Sequence, residues 1–124
     1  MRSTVKLREQ DGRFVLDLNW VQADLVMRVM VVYLGHPRAE AADRVLVGAP
    51  RRDAIAIADR IGPNEEHRAV TLDLSPAELH LVHATLAAAY ASVTSQEDFH
   101  LKTGFFPENV QAFLLGLARA LADL

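Results

Sequence analysis

Apolar and polar residues alternate in two short runs near the start of the chain, one on each side of Asp11-Gly12. Period-two alternation is typical of a strand with one buried face. Glycine accepts the positive φ that a tight hairpin turn requires. The pattern predicts a β-hairpin with strands over 3–9 and 13–20, and a later alternating run predicts a third strand over 68–74.

The segment 21–61 is rich in apolar residues but has a less regular pattern. The residues that recur at helical spacing are Leu25, Val29 and Val32. This spacing favours a helix over 21–34. Buried strands near 26–34 or 44–48 remain alternatives, because periodicity alone does not separate a buried strand from a buried helix.

Two segments that each contain a glycine and a proline, 35–38 and 48–51, resemble one another and precede stretches of helical composition. Proline is well tolerated in the first turn of a helix, where its missing N–H costs nothing. The pattern predicts two short helices, each with a proline near its start. The spacing between the two segments is not that of a strict repeat.

The clearest local signal is the run Ser75-Pro76-Ala77-Glu78, which predicts a helix from 75 to about 93. Ser75 can accept a hydrogen bond from a first-turn amide, and Glu78 can complete a capping box. The predicted buried stripe is Leu79, Val82, Leu86, Tyr90 and Val93. A second face carries only small residues, which are Ala84, Ala87, Ala88 and Ala91.

The last third of the chain predicts a short helix over 96–102 that ends at Gly104, and a final helix that begins at Pro107. The apolar stripe of the final helix is Val110, Phe113, Leu114, Leu117 and Leu121. Taken together, the patterns predict an α+β fold in which a small antiparallel sheet of three strands packs against four to six helices. We expect one domain over 1–124, a common domain size.

Composition and charge narrow the classes of function. The chain has 51% hydrophobic and 23% charged residues and no cysteine, so disulfides and thiolate metal ligands are excluded. Its net charge is −3, and this does not favour binding to nucleic acid. The longest apolar stretch, 26–34, contains Arg28 and is too short to span a bilayer. We expect a cytoplasmic protein without a membrane span.

Three histidines are the candidate polar groups for chemistry. His80 and His83 lie three residues apart on the capped helix, and His100 lies beyond it near two carboxylates. Residues three apart on a helix are neighbours on one surface. Two histidines and a further ligand are a possible metal set, but pairs at this spacing are common, so ordinary surface histidines are the preferred interpretation and no metal is assigned.

Other signatures of catalysis are missing from the sequence. No serine occurs in a GxSxG elbow, and no glycine-rich loop matches a phosphate-binding or dinucleotide-binding pattern. We assign no catalytic residue and no cofactor.

The sequence therefore favours a non-enzymatic binding or protein-interaction domain, self-associating as a homodimer, and a regulator of a bacterial-type protein would fit this description. The candidate interaction residues are Phe105, Phe106, Ala84 and Ala88. The two phenylalanines precede a proline between helices, where one can fill the core and the other can anchor a partner. The alternative is a small enzyme or ligand-binding protein whose pocket uses His80, His83 and His100.

Overall fold

The computed structural model describes residues 4–124 and confirms the α+β fold. The strands are β1 (Lys6–Gln10), β2 (Arg13–Leu18) and β3 (Val70–Leu74). The helices of the described residues are α1 (Trp20–Leu34), α2 (Glu40–Val47), α3 (Arg51–Ile61), α4 (Pro76–Ala91), α5 (Gln96–Thr103) and α6 (Pro107–Ala122). The first strand was predicted over 3–9, and residue 3 lies outside the described residues.

The three strands form one antiparallel sheet in the order β1-β2-β3. Leu7, Leu16 and Leu72 lie opposite one another across the strands and belong to the hydrophobic core. The other face carries a row of polar pairs, in which Arg13 Nε lies 2.8 Å from Asp73 Oδ1. The alternation of the sequence thus fixes which face of the sheet meets the helices.

The second strand is two residues shorter than the predicted 13–20, because Asn19 begins the next helix. The side-chain oxygen of Asn19 accepts a hydrogen bond from the Gln22 amide at 2.8 Å, and Gln22 Oε1 accepts one from the Asn19 amide at 3.0 Å. This reciprocal capping box satisfies two first-turn donors. Trp20 is therefore the first residue of α1 and does not continue the strand.

The helix predicted over 21–34 is confirmed as α1, and the alternative strands at 26–34 and 44–48 are wrong. The helix predicted over 96–102 is present as α5, and the final helix begins at Pro107 as predicted. The prediction of a proline near the start of each short helix holds for α3, which follows Pro50 directly. It is wrong for α2, which begins three residues after Pro37.

The predicted cap of α4 is present. Ser75 Oγ accepts a hydrogen bond from the Glu78 amide at 3.1 Å, and Glu78 Oε1 accepts one from the Ser75 amide at 2.8 Å. The helix ends at Ala91, two residues before the predicted end, and Tyr90 is 36% exposed although the predicted stripe includes it. α4 lies at the centre of the fold, where it contacts α1, α2, α3, α6 and the sheet.

Candidate functional site

Helix α1 is apolar around almost its whole circumference. Of its fifteen residues only Gln22, Asp24 and Arg28 are strongly polar. Its inner side packs against α4, and α3, α5 and α6 lie along its flanks. Among residues 4–124, no helix or strand covers the outward side, where Trp20 and Val31 are 42% and 52% exposed.

Five residues along the outward side of α1, two exposed and three half-buried, follow a regular spacing of four and three. They are Trp20, Asp24, Met27, Val31 and Leu34, and we call this set the α1 outer face. Met27 and Leu34 are half-buried against the core. Alternating steps of three and four residues form a seam along one side of a helix, as in packed helix pairs. The α1 outer face thus has the residue pattern of a helix-packing surface but no helix packed on it.

A groove opens beside the C-terminal half of the α1 outer face. It has a volume of about 520 Å³, and we call it the α1–α5 groove. Its lining residues are Met27, Arg28, Val31, Val32, Gly35, His36 and Lys102. Met27, Val31 and Val32 form the apolar floor of the groove. The basic side chains of Arg28, His36 and Lys102 lie around this floor.

Two of these basic side chains are held by ion pairs on their own helices. Arg28 Nε lies 2.8 Å from Asp24 Oδ1, and Lys102 Nζ lies 3.0 Å from Asp98 Oδ2. Both pairs are at i,i+4 spacing, which places the partners on one surface of the helix. The pairs hold the cationic groups beside the groove and leave the apolar floor open.

Trp20 is positioned by the loop before β3. Its indole stacks on the His67 imidazole with ring centroids 4.3 Å apart and an interplanar angle of 18°. The Asn64 side chain holds this loop, since Asn64 Oδ1 accepts a hydrogen bond from the Arg68 amide at 3.0 Å and Asn64 Nδ2 donates to the Arg68 carbonyl. The stack fixes one face of the indole, and the side chain as a whole stays 42% exposed.

The small-residue face of α4 is partly covered within the chain. Ala84 is 8% exposed and belongs to the core, and Ala88 is half-buried against it. Ala84 therefore offers no surface to a partner. The low relief of these residues serves the close packing of α4 against its neighbouring helices.

The two phenylalanines before α6 have different environments. Phe105 is half-buried against the core and lines a small cavity of about 60 Å³ between α1 and α6. Phe106 is 45% exposed, and its ring stacks on the His100 imidazole at a centroid distance of 4.3 Å. Of the four residues expected to contact a partner, Phe106 is the one that keeps a large exposed surface.

The three candidate histidines do not form one site. His80 lines a groove of about 470 Å³ between α2, α3 and α4, together with Asp53 and Arg60. His100 lies instead against Phe106, and His83 lines none of the grooves described here. Within residues 4–124, no three His, Asp or Glu side chains are arranged to hold a metal ion.

A buried polar cluster connects the end of α1 to α2. Tyr33 Oη donates a hydrogen bond of 2.5 Å to Asp43 Oδ1, and Arg38 Nη1 lies 3.2 Å from the same oxygen. The Arg38 guanidinium also stacks over the Tyr33 ring, 4.1 Å from its centroid. Burial, reinforced by the hydrogen bond to Asp43, raises the pKa of Tyr33 to about 12. The cluster connects the C-terminal end of α1 to α2 through the shared oxygen of Asp43.

The candidate interaction residues did not include the α1 outer face, although Met27, Val31 and Leu34 lie in the apolar run at 25–34, which exceeds what one small core needs. Trp20 was expected at the end of a strand, and Val31 was expected inside a buried helix. The spacing of 20, 24, 27, 31 and 34 was a visible signal, but only the positions of the neighbouring elements show which side of an apolar helix is left uncovered.

Comparisons with family models, with curated proteins and with solved structures found no match for this chain. None of the helices in the described part of the chain is long and apolar enough to cross a membrane.

Proposed function

We propose that this chain is a non-enzymatic protein-interaction domain that self-associates as a homodimer through the α1 outer face. One observation carries the proposal: on the α1 outer face, Trp20 and Val31 are 42% and 52% exposed and lie in line with half-buried Met27 and Leu34 on a largely apolar helix. A helix that is apolar all round belongs in a protein interior. A second copy packed on α1 supplies the neighbour that the monomer lacks.

The composition of the exposed surface supports an interface. Exposed aromatic residues and methionine are enriched at protein contacts, and Trp20 and Met27 lie on the same stripe as Val31. Val31 alone would be an ordinary exposed residue. Its position between half-buried Met27 and Leu34 makes the stripe continuous along the helix.

The charges favour a two-fold contact through α1 over one alternative two-fold contact, which is the pairing of two β1 edge strands. The α1 outer face and its margin carry two acid–base pairs, Asp24–Arg28 and Asp98–Lys102, so the surface offers both signs of charge to a second copy. The edge strand β1 presents Lys6 and Arg8 on one face of the sheet. Two β1 strands paired across a two-fold axis would place these cations near each other, and like charges opposite one another destabilise a sheet.

We place this homodimer in the cytoplasm and assign it no cofactor. The location is consistent with the absence of cysteine, since small secreted domains commonly depend on disulfides. Regulation of another bacterial-type protein remains the kind of role that we propose for such a domain.

The proposal is tested with two matched valine variants. Val31→Glu places a charge on the α1 outer face, and Val45→Glu places the same charge on α2, where Val45 is 85% exposed. Light scattering after size-exclusion chromatography should give a dimer for the wild type and V45E, and a monomer for V31E. Equal thermal midpoints at low concentration would show that both variants fold. A wild type that stays monomeric at high concentration would contradict the proposal.

A ligand-binding role is the second candidate, and the groove in front of His80 supports it. This groove combines apolar walls with Asp53, Arg60 and His80, the kind of lining that holds small molecules. A small-molecule thermal-shift screen tests it with His80→Ala as the matched variant. Compounds that raise the thermal midpoint of the wild type but not of H80A would support the role. A screen without such compounds would count against it.

A further inference from the structure

We infer that Trp20 of a second copy inserts into the α1–α5 groove, in an antiparallel two-fold contact between two α1 helices. The inference rests on the proposed self-association and names the residue that the partner contributes. Each copy then offers one aromatic side chain and one groove, and the two insertions are equivalent by symmetry.

The spacing along α1 fits this arrangement. Trp20 and Val31, which lines the groove, are eleven residues apart on the same face. At a rise of 1.5 Å per residue, they are separated by about 16.5 Å along the helix axis. When two such helices lie antiparallel, Trp20 of each copy comes opposite Val31 of the other. A parallel pair would instead place the two tryptophans against each other and leave both grooves empty.

The chemistry of the groove suits an indole. Its volume of about 520 Å³ lies within the range of pockets that hold molecules larger than an indole. Met27, Val31 and Val32 provide apolar contact for the ring. Arg28 and Lys102 stand beside this floor, and a cation near the face of an indole is attracted by its quadrupole.

The charged pair of α1 fits the same register. With Trp20 opposite Val31, the symmetry axis passes near the level of Leu25, so Asp24 of one copy comes close to Arg28 of the other. The acid and base that pair within each helix can then also pair between helices. Such complementarity sets the register and orientation of a contact more than its strength.

The single tryptophan of the chain makes insertion directly measurable. Emission of the wild type should shift to the blue as concentration rises through the dimerisation range, since an exposed indole becomes buried. Trp20→Ala should weaken self-association by at least about 100-fold, because two aromatic anchors are lost from each dimer. Trp20→Ala should still fold, because the side chain is 42% exposed in the monomer.

A mixing experiment tests whether the tryptophan and the groove are partners. W20A keeps the groove and lacks the indole, whereas V31E keeps the indole and has a charge in the groove. Each variant alone should be monomeric at concentrations where the wild type is dimeric. Their mixture should form a heterodimer through the one remaining insertion, weaker than the wild-type dimer. Absence of association in the mixture above that of either variant would overturn the pairing.

Orientation is tested with introduced cysteines, since the chain has none of its own. In the antiparallel pair, two copies of Asp24→Cys lie about 4.5 Å apart along the axis and two copies of Val31→Cys about 16.5 Å apart. A short thiol cross-linker should join the first variant and not the second. Efficient cross-linking of V31C would instead indicate a parallel pair and refute the inference.

These outcomes separate the two proposals. If V31E is monomeric but W20A dimerises like the wild type, and the emission of the wild type does not change with concentration, self-association through α1 stands and the insertion of Trp20 is wrong. If the wild type is monomeric throughout, both proposals fail.

Discussion

Replacing Tyr33 by phenylalanine removes one hydroxyl from the buried cluster between α1 and α2. Tyr33 is 2% exposed, and its hydroxyl donates to Asp43, which is 1% exposed. Hydrogen bonds to charged groups contribute about 1.5–3 kcal/mol, and Asp43 would lose one of its donors. We expect the free energy of unfolding of Y33F at pH 7 to be lower than that of the wild type by about this amount.

The same variant has a defined pH dependence. Burial, together with the hydrogen bond to Asp43, raises the pKa of Tyr33 from 10.0 to about 12. The folded state therefore retains the phenolic proton at a pH where the unfolded state has lost it. The stabilisation is complete below pH 10 and is lost as pH rises to about 12, and a shift of this size corresponds to roughly 2–3 kcal/mol. The advantage of the wild type over Y33F should thus largely vanish by pH 12.

Urea unfolding of the wild type, Y33F and Tyr90→Phe between pH 7 and 12 measures this directly. Tyr90 is 36% exposed on α4, so Y90F is the matched control and should stay within about 0.5 kcal/mol of the wild type. In Y90F the absorbance of the phenolate reports Tyr33 alone, with a midpoint expected at about 12. Equal stability of Y33F and wild type at pH 7, or a difference that does not change up to pH 12, would refute the reasoning.

Three further substitutions test the packing and capping. Leu117→Ala should lower the free energy of unfolding by about 2–5 kcal/mol because Leu117 is fully buried, and Leu115→Ala, at a site 51% exposed, should change it little in the same urea titration. Ser75→Ala should cost about 1 kcal/mol through loss of the α4 cap, which Thr94→Ala at an exposed site should not reproduce. The hydrogen bond from the Ser75 amide, together with Arg60 and Arg13, lowers the pKa of Glu78, so Glu78→Gln should be less stable than the wild type at neutral pH. That difference should shrink as pH falls below 4.5, and a constant difference would exclude ionised Glu78 as its source.

The strands and helices were largely readable from local pattern. Asp11-Gly12 predicted the hairpin because both residues adopt positive φ in the turn, at 53° and 77°. Ser75 and Glu78 predicted the start of α4 because the capping box involves only neighbouring residues. The boundary at Asn19 was misplaced, since apolar Trp20 continues the alternation of the strand and the side-chain cap of Asn19 overrides it.

The candidate site was harder to predict from the sequence than the strands and helices were. The histidines and phenylalanines were chosen as candidates because of their residue type. Their surroundings, however, depend on elements that are distant in sequence. His80 faces α2 and α3, whereas His100 faces Phe106. Ala84 has the composition of a contact surface and is buried within the chain.

The sequence alone predicted a hairpin and a third strand, several amphipathic or apolar helices and a capped helix beginning after Ser75, whereas the antiparallel pairing of β3 with β2 came from the structure. Those features depend on the periodicity of apolar residues, on helix caps and on turn residues, and each of these involves residues that are close in sequence. Only the tertiary structure decided which side of each largely apolar helix is covered. α1 and α4 both contact several other elements, and the packing leaves Trp20 and Val31 of α1 and Tyr90 of α4 exposed. Burial depends on which elements pack together across long sequence separations, and no local pattern carries that information.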